Sequence, residues 1–123
     1  MKLFCDGGFK PSTGAYGSGR VEYDDGNLCK MLRWTFPYPV NTNNEAEYAT
    51  LLESLMWCEQ AGVKELSVFS DSQLMVRQLN KIYKINKLSL KKFAEEIWEL
   101  ESDFDIITYT HVPRAVLVEK VGH

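Results

Sequence analysis

The order of periodicities between residues 44 and 71 constrains this chain more than any other feature. Tyr48, Leu51, Leu52, Leu55 and Met56 recur at helical spacing, which predicts an amphipathic helix over about 44–61, stopped at Gly62. "ELSVFSD" follows at 65–71, a short, mostly apolar run of the buried-strand kind. A strand-helix-strand passage implies parallel pairing, because parallel neighbours cannot be joined by a tight turn. Upstream, residues 2–9 read as a strand that stops at Gly7-Gly8, and Pro11 to Gly14 as a turn. "AYGSGRVEYDD" and "NLCKMLRWTF" are extended segments joined through Asp25-Gly26, a hairpin signal, and Pro37 and Pro39 then open a loop. Downstream, "SQLMVRQL" reads as a short helix. A second long helix runs from Ser89, as N-cap, to about Glu101, with Leu90, Phe93, Ile97 and Leu100 on one face. "DIITYTHV" is a fifth strand. The expected class is therefore α/β, a mixed sheet covered by helices.

The 123 residues suffice for one domain, 1–123, and no repeat, linker or low-complexity tract divides them. No run approaches the roughly 18 apolar residues of a membrane span, and "MKLFCDGG" lacks the apolar core of a signal peptide. Cys5, Cys29 and Cys58 are odd in number and widely spaced. They read as reduced thiols of a cytoplasmic protein rather than as a disulfide frame or a zinc site.

The net charge of −3 runs against a polyanionic partner, but the average hides a pattern. Between Ser72 and Ala94 no acid occurs, while Arg77, Lys81, Lys84, Lys87, Lys91 and Lys92 do. Glu95, Glu96, Glu99, Glu101, Asp103 and Asp105 follow at once. A solvated charged helix face accounts for this; so does a basic flank for a polyanion.

Several acids stand where apolar residues would be expected. Asp6 ends the first strand and precedes two glycines; Asp71 ends the strand expected to be central. A carboxylate at the mouth of a buried strand is costly unless paired, hydrogen-bonded or bound to a metal. Asp71 also suits the N-cap of the next helix, and Asp6 suits a turn. If Thr42 caps the long helix, Glu45 is the partner in a capping box and Glu47 has no capping duty; if Asn44 caps it, Glu47 takes that role. Oxygen-only clusters of such residues suit Mg²⁺ or Mn²⁺, and two such ions about 4 Å apart serve phosphodiester cleavage.

The segments "CDGGFKPSTGAYGSG", "TNNEAEYATLLESL", "VFSDSQLMVRQLN" and "HVPR" resemble type 1 ribonuclease H, in its compact bacterial and archaeal branch, over nearly the whole chain. The resemblance implies a five-stranded mixed sheet whose first three strands are antiparallel. It also implies cleavage of the RNA strand of RNA/DNA hybrids with two divalent ions, Mg²⁺ or Mn²⁺. It makes Asp6, Glu47 and Asp71 catalytic metal ligands, and Gly7, Gly8, Asn43, Asn44, Ser72, Arg77, Lys81, Lys84 and Arg114 contacts to the hybrid, with Tyr83 or a neighbour stacking on a sugar. His111 is either a mover of protons or a plain strand-end histidine. A monomer is expected, with no membrane and no organic cofactor.

The tail departs from the branch. Its pattern after "HVPR" places an asparagine and then a fourth catalytic aspartate, where this chain has Leu117 and Val121. The tail is rich in β-branched residues, poor material for so short a helix, so a truncated or altered last helix is expected. Glu119 lies about 200° around a helix from position 121, and Glu119 or His123 replaces the missing ligand only if the backbone slips its register.

Overall fold

The structure, a computed structural model, describes residues 1–122. Five strands, β1 (Lys2–Lys10), β2 (Gly14–Glu22), β3 (Leu28–Trp34), β4 (Glu65–Ser70) and β5 (Ile106–His111), form one sheet in the order β3-β2-β1-β4-β5. β1, β2 and β3 are antiparallel, while β4 runs parallel to both β1 and β5, as a helical crossover requires. The helices are α1 (Asn43–Gln60), α2 (Gln73–Leu79), α3 (Leu88–Glu101) and α4 (Arg114–Val121).

Alternation along β1 sorts its side chains between two cores. Leu3 and Cys5 join Tyr48, Leu51 and Leu55 of α1 and Ile97 of α3. Phe4 faces the other way, stacked on Phe69 at 4.9 Å, and packs with Leu117 and Val121 of α4. This second cluster explains why the tail forms the short last helix expected of it. The segment is helical despite its β-branched residues, because Leu117 and Val121, four apart, are almost completely buried on the sheet, and tertiary burial outweighs propensity. Lys120 adds an anchor: its Nζ donates to Glu22 at 2.8 Å, while Arg20 Nε donates to the same carboxylate at 2.6 Å. Glu22 is 1% exposed. Burial alone would raise its pKa, but the two cations win and hold it below the usual value.

The helix starts show how local signals are shared out. Thr42 caps α1, its Oγ1 accepting from Glu45 N at 3.1 Å. Glu45 does not close the box on Thr42. Its carboxylate accepts from Asn41 N at 2.9 Å and from the Ser89 hydroxyl at 2.7 Å, with Lys87 Nζ at 3.6 Å. Ser89 therefore ties α3 to α1 instead of capping α3, whose N-cap is Lys87 without a side-chain cap bond.

α1 rests directly on backbone. A Cβ at Gly7 would lie 2.5 Å from the Ala46 carbonyl oxygen, and one at Gly17 would lie 2.0 Å from Thr50 Oγ1 and 2.9 Å from Thr50 Cβ. Thr50 is fully buried and donates to Ala46 O, so it cannot step aside. Gly17→Ala is expected to destabilise the fold by about 3 kcal/mol through overpacking, read as a lower urea midpoint.

Candidate metal centre

β1 and β4 are parallel, so their C-terminal ends share one edge of the sheet; their pairing stops at Phe4 and Phe69. Just beyond it, Asp6 projects from β1 and Asp71 follows the last residue of β4. Glu47 reaches the same place from the second turn of α1. These three carboxylates each offer an oxygen, all within 4.8 Å of one another. Asp6 is 8% exposed. Glu47 Oε2 is shut off from solvent and has no hydrogen-bond partner among the described residues.

The electrostatics follow from that crowding. Burial, and then the charges of Asp71 and Asp6, push the Glu47 carboxyl up to about 7, against the opposing pull of a hydrogen bond with Ser72 and the charge of Arg114. Ser72 also caps α2, its Oγ accepting from Met75 N at 3.2 Å. Arg114, the first residue of α4, places Nη1 3.3 Å from Asp71 Oδ2 and 4.0 Å from Asp6 Oδ2. Sequence reasoning assigns Arg114 to the hybrid; here its guanidinium lies on the carboxylates, a proximity that depends on how β5 and α4 meet. Crowded carboxylates with an orphaned oxygen are a hard, oxygen-only donor set, and they fit a divalent cation.

Protonation should register this. Without divalent ions, folded Glu47 holds its proton more tightly than the unfolded chain, whose value is near 4.5. The stability this contributes is present below pH 4.5 and is lost as pH rises through about 7, by up to about 3 kcal/mol. Melting curves in chelator should show that decline, Mg²⁺ or Mn²⁺ at pH 8 should reverse it, and Glu47→Gln should flatten it.

The other predicted residues are not part of this cluster. Gly7 is filled in by α1, as above, and Gly8 by Tyr16, whose Oη would lie 2.5 Å from an added Cβ. The space at both glycines thus serves packing within the chain. Asn43 and Asn44 are exposed at the start of α1, and Asn43 Oδ1 accepts from Phe9 N at 2.8 Å, pinning it to the end of β1. Arg77 donates to Tyr83 Oη at 2.7 Å and lies 5.1 Å from the Tyr83 ring centroid. Lys81, at φ 63°, holds Nζ 4.9 Å from the Trp98 ring centroid. Lys84 is exposed. His111 is exposed at the end of β5, paired with Ser70. Glu119 is exposed on α4 and outside the cluster, because the buried Leu117–Val121 face fixes the helix register without a slip. His123 lies outside the described residues.

This sheet order, with three carboxylates gathered at the parallel edge, defines an RNase H-like domain. A family model described as "Reverse transcriptase-like" matches residues 4–118, and the chain belongs to that family. It is 32% identical over 111 residues to "Bifunctional protein Rv2228c" of Mycobacterium tuberculosis, covering 90% of this chain but only 30% of that relative's length. RNase H1 from Halobacterium salinarum NRC-1 superposes with a TM-score of 0.89 at 29% identity, covering 98% of this chain and 90% of that one. LC11-RNase H1 in complex with an RNA/DNA hybrid superposes at 0.86 with 25% identity, covering 98% and 93%. Among the described residues, no helix is long and apolar enough to cross a membrane.

Proposed function

We propose that residues 1–123 act as one metal-dependent ribonuclease H, hydrolysing the RNA strand of RNA/DNA hybrids in the cytoplasm. The observation that carries this reading is the Asp6–Glu47–Asp71 cluster at the parallel edge of an RNase H-like sheet. The hybrid bound by LC11-RNase H1 supports the substrate. Three unpaired cysteines suit a reducing compartment.

In this reading Asp6, Glu47 and Asp71 would hold two Mg²⁺ or Mn²⁺ ions. Such ions supply an activated water and neutralise charge on the phosphate and the leaving oxygen. The chain's own residues set the conditions. Glu47 must give up its proton before it ligates, and Ser72 favours the ionised form. Arg114, two-thirds exposed, is placed to move from Asp71 to a phosphate oxygen. Asn43 is held by Phe9 N where it can meet the minor groove, and Lys84 and Lys91 offer exposed charge to the backbone. His111 stands at the neighbouring strand end as a carrier of protons.

A second reading has its own observation. Position 121, where the branch carries its fourth aspartate, is an apolar side chain buried on Phe4, so α4 brings no carboxylate to the cluster. That favours a hybrid-binding module without catalysis. One assay separates the two: incubation of an end-labelled hybrid with Mg²⁺ or Mn²⁺, alongside a binding titration in chelator. Cleavage of the RNA strand is expected; intact RNA with retained binding would establish the module.

A further inference from the structure

Away from the carboxylate cluster, a trough follows α3 where that helix meets α1 and the 37–39 loop. Two adjoining cavities of about 490 and 860 Å³ share Tyr38 and Glu96 and together follow α3 from Ser89 to Leu100, roughly 17 Å of helix, with Asp103 just beyond its end. The floor is apolar, made by Leu52 and Met56 of α1 and by Phe93 and Leu100 of α3. The walls are acidic: Glu53, Glu95, Glu96, Glu99 and Asp103 line it, against Lys92 as the one lining cation among the described residues.

Two residues lining the first cavity, Tyr38 and Glu53, each keep a polar atom, Oη and Oε2, closed off from solvent with no hydrogen-bond partner among the described residues. Burial and the nearby Glu96 charge raise the pKa of Glu53, and burial with both carboxylates raises that of the Tyr38 phenol. An incoming cation with N–H donors would relieve all three groups. The lining repels a polyanion, so the trough is not part of the path of a nucleic acid. Its length and its apolar floor exceed what a small amine fills and suit a stretch of polypeptide.

We propose that this trough is a docking surface for a protein segment carrying lysine or arginine beside apolar side chains. A basic side chain pairs with the Glu53 and Glu96 carboxylates beside Tyr38, and apolar neighbours cover Leu52, Met56 and Leu100. The proposal does not depend on hydrolysis at the carboxylate cluster.

The test is selection from a random peptide library displayed on phage, with this chain as target and Glu53→Gln/Glu96→Gln as counter-target. The expected winners alternate Lys or Arg with Leu, Ile, Phe or Met. Synthesised, they should bind the double variant about tenfold more weakly, as loss of close charge partners requires. Met56→Lys, which sets a cation at a half-exposed position of the floor, should weaken them as well. An unchanged melting temperature checks that both variants are folded. Failure to enrich any peptide, enrichment of acidic or uncharged sequences, or equal affinity for the variants would each overturn the proposal. Displacement of the peptides by an RNA/DNA hybrid would overturn it too, by assigning the trough to nucleic acid.

Discussion

Asp71→Asn is expected to abolish cleavage of the hybrid, lowering kcat by about a thousandfold or more. Loss of one ligand at a two-ion site removes several kcal/mol of transition-state stabilisation. The fold should survive, because Asp71 follows the last residue of β4 and lies in a cluster of like charges. Removing its charge relieves Glu47 but gives up the pair with the two-thirds-exposed Arg114, so the variant should melt close to the parent in chelator, and Mg²⁺ should stabilise it less. Single-turnover rates with a labelled hybrid, read beside melting curves with and without Mg²⁺, check both halves. A variant that retains cleavage within about tenfold would remove Asp71 from the ligand set.

Val121→Asp is the complementary gain. α4 is helical, and Val121 packs against Phe4, two residues before Asp6 on the same face of β1. An aspartate there faces the side of the sheet from which Asp6 projects. In chelator it should cost about 2–3 kcal/mol, since a carboxylate replaces a side chain that is 1% exposed. With Mg²⁺ or Mn²⁺ it should raise the cleavage rate about tenfold or more and regain much of the lost stability. A destabilised variant with no gain in rate would show that α4 does not carry the fourth ligand at this position.

These expectations rest on features that differ in how plainly the sequence displays them. The α1–β4 passage is legible because its two periodicities are long and clean, and the mixed sheet follows from it. The carboxylates are legible because Asp6 interrupts one apolar strand and Asp71 closes another, so that local propensity and chemistry disagree. Glu47 and Glu45 cannot be separated by spacing alone. Their roles diverge only in three dimensions, where Ser89 and Lys87 of the α3 start take up Glu45 and leave Glu47 to the sheet edge. The tail is legible as a short last helix, but not for what holds it: 114–121 packs on Phe4 and Phe69, more than forty residues away in sequence. Gly7 is legible as a position that excludes a side chain, but not for which neighbour, and that neighbour is α1.

The segregation of charge along α3 has a cost inside the helix itself. A helix carries partial positive charge at its N-terminus and negative charge at its C-terminus, and α3 is charged the opposite way at both ends. Lys87 caps it with no acid in the first turn, and Glu99 and Glu101 occupy the last turn with no base. Each misplaced charge costs about 0.3–1 kcal/mol, so α3 is held by the burial of Leu90, Ala94 and Ile97 rather than by its own terminal electrostatics. At the first turn the Glu45 carboxylate of α1, on Ser89 and Lys87, already supplies the missing negative charge; a cation arriving at the last turn would correct the other end. Amide exchange in the last turn of α3 should therefore slow when a basic segment binds beside Glu99, so that a partner would steady the end of the helix that the chain itself leaves uncompensated.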